Sequence, residues 1–303
     1  MTAERQEANH PLRLLRINAG SCNGCDVELT ATACLSRFSF ERAGFVLTED
    51  PAEAQIVLIT GPLTVRVKEQ VLQLYAEVPE PHVTVAVGVC PASGGVFRDS
   101  YAIAGPVERY LPVEVNVPGC PPRPQAIMEG MQGAAALWRQ KTGLPSFSPA
   151  AAEDAPAAPA PEGPGVAVRG KLSYDPAACA ACRMCEHVCA GGAITFTEDG
   201  DGVHFSLQHN ACAFCGLCTH YCKTGALKQT GNWHTAHSRE EKADFVESAS
   251  IPYRPCAVCG EPILPVPTDL IRLAFRGVNR DLVRLQNLCP ECRQAETLLG
   301  VRR

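Results

Sequence analysis

The chain contains no apolar run that approaches the roughly 20 residues needed to span a bilayer. Residues 1–6 are polar, with neither the apolar core of a secretory signal nor a twin-arginine motif. A strong net charge is also lacking, at −5 over 303 residues, and aromatic residues make up only 6%. These values give no indication of binding to nucleic acid or to an anionic membrane surface. We therefore expect a cytoplasmic chain whose place at any membrane would depend on partners.

Cysteine, by contrast, is abundant, with 17 residues in the chain. Disulfide frameworks explain such numbers in small secreted chains, whereas in a cytoplasmic protein the reduced thiols are available as metal ligands. The pattern C-x2-C-x2-C-x3-C occurs twice, at residues 179–189 and 212–222. This spacing is typical of 4Fe–4S ligation, in which the fourth cysteine of each run binds the other cluster.

The two runs therefore predict two 4Fe–4S clusters with exchanged fourth ligands. The first would be held by Cys179, Cys182, Cys185 and Cys222. The second would be held by Cys212, Cys215, Cys218 and Cys189. The region resembles the α+β two-cluster ferredoxins of bacteria, except that the proline expected after each run is Ala190 or Lys223. Because that proline supplies no ligand, we expect the exception to affect local geometry and not ligation.

Strands and helices alternate over residues 11–144. Residues 55–59 and 83–87 are β-branched and bounded by breakers, which predicts buried central strands, and residues 12–17 predict another. Strand–helix–strand alternation predicts a parallel sheet covered on both faces. Ligand sites in such folds lie at the carboxyl ends of the strands. Cys22, Cys25 and Cys90 follow predicted strands directly.

Four cysteines on three of these loops could close one further 4Fe–4S cluster. They are Cys22, Cys25, Cys90 and Cys120. Neighbouring glycines would let the backbone approach a cluster and donate N–H groups to it. Taken separately, each cysteine is weak support, because buried cysteines also behave as small apolar side chains. Cys34 fits no ligand set, and we predict a mid-helix core position for it.

Together, the segments at residues 20–28, 88–90 and 118–124 closely resemble the small subunit of nickel–iron hydrogenases and the related terminal-cluster subunit of respiratory complex I. The resemblance covers about residues 10–142. Complex I subunits carry two adjacent cysteines, whereas Cys22 and Cys25 are separated by two residues, as in hydrogenases. With a ferredoxin-like region fused behind it, the chain is most similar to the membrane-bound, energy-converting group 4 hydrogenases, including formate hydrogenlyase.

The resemblance implies a flavodoxin-like α/β domain in which Cys22, Cys25, Cys90 and Cys120 hold a proximal 4Fe–4S cluster. It implies an electron-transfer subunit that works with a nickel–iron large subunit, with membrane anchor or pump subunits, and with an electron donor such as formate dehydrogenase, carbon monoxide dehydrogenase or ferredoxin. The chain would then lie on the cytoplasmic side of the inner membrane. Glu28 matches an acidic position beside the cluster and is a candidate for proton transfer, the alternative being a favourable charge at a helix N-terminus.

The carboxy-terminal region carries two further C-x2-C pairs. They are Cys256 with Cys259, and Cys289 with Cys292. Four thiolates in this arrangement are typical of a structural zinc ribbon. They also suit a single iron, as in rubredoxins, and the sequence does not separate the two metals. We favour zinc because closed four-cysteine sites most often hold it.

These features divide the chain into five parts. They are a hydrogenase small-subunit-like domain (1–144), an Ala/Pro-rich linker (145–168), a two-cluster ferredoxin domain (169–232), a connector (233–251), and a four-cysteine metal-binding unit (252–303). Within the connector, residues 238–249 are charged and are predicted to be helical.

Two other functions remain open at this point. The same architecture could serve a complex I-related oxidoreductase that lacks nickel. More remotely, the carboxy-terminal unit could belong to a zinc-ribbon protein that binds nucleic acid. The overall acidity and the sparse aromatic residues disfavour this last possibility, and we expect no nucleic-acid partner.

Overall fold

The structure, a computed structural model, describes residues 10–145, 169–275 and 280–300. The strands of the first region are β1 (Leu12–Asn18), β2 (Phe45–Thr48), β3 (Ile56–Thr60), β4 (Leu63–Thr64), β5 (Val83–Val87), β6 (Ile103–Gly105) and β7 (Val115–Val117). Its helices are α1 (Gly24–Cys34), α2 (Lys68–Ala76), α3 (Val89–Ser93) and α4 (Pro124–Thr142). Apart from Pro145, the predicted linker lies outside the described residues.

Five of these strands form a parallel sheet in the order β2-β1-β3-β5-β7. Counted along the chain, this is the order 2-1-3-4-5 of flavodoxin-like folds. The three predicted strands are confirmed as β1, β3 and β5, and every residue of β3 and β5 is buried. Continuous burial is expected of central parallel strands, which are covered on both faces. The predicted flavodoxin-like α/β domain is therefore confirmed.

Helices pack on both faces of this sheet. On one face Leu58 of β3 lies in a core with Ile127 of α4, and on the other Ile59 lies in a core with Val71 of α2. Full burial of a side chain such as Ile127 stabilises the fold by roughly 1.5–3 kcal/mol. Helix α4 is capped at its carboxyl end by Gly143, which has the left-handed φ of 71° that favours glycine. The two helix layers leave the carboxyl ends of β1, β5 and β7 at one edge.

A second region carries the two cysteine runs. Its elements are β8 (Leu172–Tyr174), α5 (Met184–His187), β9 (Ile194–Glu198), β10 (Gly202–Gln208), α6 (Leu217–Tyr221) and β11 (Leu227–Gln229). Strand β8 pairs with β11, and β9 pairs with β10, both antiparallel. Strands β9 and β10 thus form a hairpin around residues 199–201. The Phe205 ring stacks on Tyr174 with 3.7 Å between centroids, so the two ribbons share one core.

Of the segment predicted to be charged and helical, residues 238–249, only Glu240–Phe245 is helical, as a 3-10 helix, and the prediction is wrong for residues 246–249, which are extended. The connector forms β12 (His237–Ser238), a short 3-10 turn (Glu240–Phe245) and β13 (Val246–Pro252). Strand β12 adds to the first sheet antiparallel to β7, and β13 pairs with β10. The charged residues that suggested a helix lie in the turn, and burial along β13 largely alternates, as expected of an edge strand. One segment therefore joins the sheets of both regions.

The third region is small. Its elements are β14 (Arg254–Pro255), β15 (Pro262–Ile263), α7 (Thr268–Phe275), α8 (Arg280–Leu285) and α9 (Pro290–Gly300). Its buried core consists of Leu288 and the side chains of Cys256 and Cys289. So few apolar side chains rarely hold a unit folded without a metal or disulfide. Within the ranges that the structure describes, no helix is long and apolar enough to cross a membrane.

Candidate metal centres

The four cysteines of the first region meet at the carboxyl edge of the sheet. Cys22 and Cys25 follow β1, Cys90 lies in α3 directly after β5, and Cys120 lies between β7 and α4. Burial raises the pKa of the Cys25 thiol to about 12, and the charges of Cys90, Cys120 and Cys22 add to that rise. These sulfurs are therefore near neighbours. Four such thiolates would repel one another, and a cationic iron–sulfur core would relieve that repulsion.

Glycine is required where the backbone passes these sulfurs. Gly88 follows β5 with φ 97° and ψ 167°, a region essentially restricted to glycine. A Cβ atom there would lie 2.6 Å from Cys25 Sγ. A Cβ at Gly95 would lie 3.0 Å from Cys90 Sγ. The close approach expected from the sequence is thus present at two cysteines.

Two predictions about other residues of helix α1 have different outcomes. Cys34 is the last residue of the helix and is exposed, so its predicted mid-helix core position is wrong. The helix ends at this residue, where the side chain points away from the packed face. Glu28 lies half-buried on α1, and its carboxylate makes no hydrogen bond or ion pair with any described residue. Its role in proton transfer stays a prediction.

The acidic residue that the structure builds into this site is Asp26, which the sequence reasoning missed. Asp26 is only 6% exposed and forms an ion pair of 2.5 Å with Arg16 on β1. Burial would raise the pKa of this carboxyl, but hydrogen bonds from Ser21, Thr60 and Arg16 outweigh burial and hold the pKa below its ordinary value. The available signal was its place directly after Cys25 and just behind the segment 18–23, which contains two Asn and one Ser.

In the second region, cysteines of the two runs lie near one another. Burial raises the pKa of the Cys212 thiol to about 12, with further contributions from Cys218, Cys189 and Cys215. Cys189, the fourth cysteine of the first run, thus adjoins the first three of the second run. A backbone N–H from Ala193 donates to its sulfur at 3.2 Å, a contact that favours a thiolate.

The converse set surrounds Tyr174. Burial raises the pKa of this phenol, and the charges of Cys179, Cys185 and Cys222 raise it further. Cys222, the last cysteine of the second run, therefore lies near the same phenol as Cys179 and Cys185 of the first run. The backbone N–H of Ala181 donates to Cys179 Sγ at 3.3 Å.

The first-region site and the second run are adjacent. Burial raises the pKa of Cys120, Cys22 raises it further, and Cys215 of the second run also contributes. Arg169 opposes that rise and lies near Cys120. The Arg98 guanidinium donates to the carbonyl of Ala190, directly after the first run. The two regions are therefore in contact beside the cysteines.

The carboxy-terminal cysteines form the most compact set. The Sγ atoms of Cys256, Cys259, Cys289 and Cys292 all lie within 4.8 Å of one another, as single-metal coordination requires. The backbone N–H of Cys289 donates to Cys256 Sγ at 3.2 Å, and that of Cys292 donates to Cys289 Sγ at 3.4 Å. Hydrogen bonds from the backbone of Cys259, Cys289 and Val258 lower the pKa of Cys256. This set can bind zinc or a single iron as a tetrahedral thiolate site.

Comparison with known proteins identifies the family of the first region. Residues 22–134, which contain all four of its clustered cysteines, match the family described as NADH ubiquinone oxidoreductase, 20 Kd subunit. A probable membrane-bound hydrogenase subunit of Pyrococcus furiosus is 45% identical over 118 residues, which are 39% of this chain and 70% of that protein. The chain belongs to this family.

Two further relatives show the breadth of the family. Formate hydrogenlyase subunit 7 of Escherichia coli is 37% identical over 126 residues, 42% of this chain and 49% of that protein. An NADH-quinone oxidoreductase subunit of Heliobacterium modesticaldum is 41% identical over 107 residues, 35% of this chain and 61% of that protein. These three matches span 35–42% of this chain. The family match ends at residue 134, so the second and third regions lie outside it.

Proposed function

We propose that this chain is the electron-transfer subunit of a membrane-associated nickel–iron hydrogenase, and that it relays electrons through three 4Fe–4S clusters to or from a nickel–iron centre in a partner subunit. The observation that carries the proposal is the meeting of Cys22, Cys25, Cys90 and Cys120 at one edge of the sheet, within the family match. Relatives named as hydrogenase and formate hydrogenlyase subunits support the hydrogenase assignment.

The proximal cluster is assigned to those four cysteines. The second region is assigned as a ferredoxin domain with two clusters of exchanged ligation. Its sets are Cys179, Cys182, Cys185 with Cys222, and Cys212, Cys215, Cys218 with Cys189. The neighbourhood of Cys189 to the second run, and of Cys222 to the first, supports this exchange. When bound, such clusters supply one-electron transfer.

Contacts between the regions support one order for the three proposed sites. Cys215 lies near Cys120, so the set that contains Cys215 is placed next to the proximal set. The set that contains Cys222 is then the outer one, toward an electron donor. The donor would be a module such as formate dehydrogenase, carbon monoxide dehydrogenase or ferredoxin.

The partner large subunit is proposed to dock beside the proximal set. Large apolar side chains are exposed there, including Val27 (65%), Val65 (60%) and Tyr101 (99%). They are connected through the loops: Thr64 packs on Gly20, and the backbone N–H of Val65 donates to the Ala102 carbonyl at 2.9 Å. Exposed apolar side chains beside such a site support the docking of a protein partner there. Attachment to a membrane would come from anchor or pump subunits of the complex.

The carboxy-terminal set is assigned one zinc or one iron in a structural role. Its compact Sγ geometry supports a closed site, because all four ligands are supplied by the chain. A bound metal would add the stability that the small core of this unit lacks.

A second candidate function stays in the same family. The family description and the 41% identical relative both refer to NADH oxidoreductases. In that case the partner would contain no nickel and would reduce a quinone or another acceptor. The separation of Cys22 from Cys25 by two residues favours the hydrogenase over this alternative.

The test is a metal census of the complex purified anaerobically with this chain as bait. Three clusters predict about twelve irons per chain, plus one zinc or one more iron. One nickel per complex would support the hydrogenase, and hydrogen evolution or uptake would then be assayed. A full iron complement without nickel would favour the second candidate. Fewer than about eight irons in the chain would refute the three-cluster assignment.

A further inference from the structure

We infer that Asp26 is the positioning residue of the first-region site: its carboxylate ties the loop that carries Cys22 and Cys25 to strands β1 and β3, and so determines the electronic state of the cluster held there. The inference rests on the proposed function, because it assumes that a cluster is bound by these cysteines. Asp26 itself is not assigned a ligand role.

The carboxylate of Asp26 is saturated by hydrogen bonds. Its Oδ1 accepts from Arg16 Nη1 at 2.5 Å and from Thr60 Oγ1 at 2.9 Å. Its Oδ2 accepts from Ser21 Oγ at 2.5 Å and from Asn18 Nδ2 at 3.2 Å. An ionised carboxylate offers about four acceptor sites, so every site is used. An amide in its place would offer only one acceptor oxygen.

The donors belong to a network that spans the whole loop. Asn18 Oδ1 accepts from the backbone N–H groups of Gly20 at 2.9 Å and Ser21 at 2.8 Å. Ser21 Oγ accepts from the backbone N–H of Asn23 at 2.8 Å. Asn23 has a left-handed φ of 65°, which a non-glycine residue adopts only when its surroundings hold it there. Cys22 therefore lies between residues that are all tied, directly or through one atom, to Asp26.

The network joins three parts of the fold. Arg16 and Asn18 belong to β1, Thr60 ends β3, and Asp26 follows Cys25 on α1. Strands β1 and β3 are neighbours in the rigid parallel sheet. A cysteine loop anchored to both strands cannot shift without breaking hydrogen bonds to an ionised carboxylate whose side chain is 7% exposed.

A purely stabilising ion pair is the alternative, and the chain offers a matched case. Arg13, also on β1, pairs with Glu53 at 2.5 Å at the opposite end of the sheet. The two arginines are equally exposed, 48% for Arg13 and 47% for Arg16. The carboxylates differ: the Glu53 side chain is 46% exposed and the Asp26 side chain is 7% exposed. Of these two carboxylates, Asp26 alone combines burial, four donors and a position beside a cysteine of the set.

The test compares Asp26→Asn with Glu53→Gln in the full chain, purified anaerobically with its partners. Iron is counted, and each cluster is followed by electron paramagnetic resonance during a redox titration. We expect Asp26→Asn to alter the line shape of one cluster signal and to shift its midpoint potential to a more positive value. The reason is that the variant removes a negative charge and leaves the Arg16 cation unpaired beside the cluster. Glu53→Gln should leave all signals unchanged.

A second variant covers the case in which Asp26→Asn does not fold. Thr60→Val keeps the shape of the buried side chain and the charge of Asp26, and removes one of the four donors. It should perturb the same signal and spare the others. If either folded variant leaves every signal and potential as in the wild type, with only a lower unfolding temperature, the positioning role of Asp26 is refuted. The assignment of the clusters to their cysteines is not affected by that result. If the wild-type chain itself shows no signal from this set, the proposed function fails, and this inference fails with it.

Discussion

Replacement of Gly88 by alanine tests whether Cys25 is held in place by close backbone packing. Gly88 has φ 97° and ψ 167°, and the added Cβ would lie 2.6 Å from Cys25 Sγ. Two separate costs follow from these numbers. The backbone conformation is strained for any side chain, and the sulfur must move away from the methyl group.

The magnitude can be worked from both costs. A non-glycine residue in this conformation costs about 1–3 kcal/mol. Carbon and sulfur in contact normally lie about 3.5–4 Å apart, so Cys25 Sγ would have to move by roughly 1 Å. A free thiol could rotate away at little expense, but a cluster ligand could not. We therefore expect Gly88→Ala to lower the free energy of unfolding by about 1–3 kcal/mol and to lose the cluster of this set, about four irons of twelve.

The assay is iron content and thermal unfolding of the anaerobically purified chain, with two control variants. Gly143→Ala places a methyl group at a left-handed φ of 71°, with no described atom within 4 Å of the added Cβ. It should cost about 1 kcal/mol and keep all the iron. Gly133→Ala, on helix α4 and equally open among the described atoms, should stabilise by about 0.5–1 kcal/mol. A Gly88→Ala chain with full iron and wild-type cluster signals would refute the reasoning.

Two other predictions follow from buried groups in the second and third regions. Burial lowers the pKa of His209 from 6.5 to about 4. Between these pH values the unfolded chain therefore binds a proton that the folded chain does not. The free energy of unfolding should fall by up to about 3 kcal/mol as the pH drops from 6.5 to 4. In His209→Gln this loss should be absent, and unfolding temperatures of wild type and variant that change in parallel between about pH 7.5 and 4.5 would contradict the prediction. Cys289→Ser should release the single metal of the carboxy-terminal unit and expose residues 254–300 to protease, because Cys289 is 1% exposed within the four-sulfur set. The irons of the three clusters should be retained. Cys34→Ser, at an exposed cysteine, is the control, and retention of the metal by Cys289→Ser would count against the site.

Local sequence patterns were sufficient for much of the fold. Strands β3 and β5 are short runs rich in β-branched residues, a composition that by itself predicts a buried strand. Helix α4 has a proline at its start and Gly143 at its end. These signals depend on residues close together in the chain. Residues 246–249 were wrongly predicted to be helical because the strand they belong to pairs with β10, which lies far from it in sequence, and strand pairing of that kind leaves only a weak local pattern.

The cysteine spacings also identified the candidate ligands, since thiolate chemistry and C-x2-C turns are local properties of the chain. The surroundings of those ligands depend on how distant segments pack. The parallel sheet brings Cys90 and Cys120 to Cys22 and Cys25, and it selects Asp26, and not Glu28, as the carboxylate held by a hydrogen-bond network. The adjacency of Cys120 and Cys215 likewise arises from contacts between two regions. Sequence therefore names the groups that can bind metal, while their burial, their donors and their order in space come from tertiary packing, because each of these depends on residues far apart in the chain.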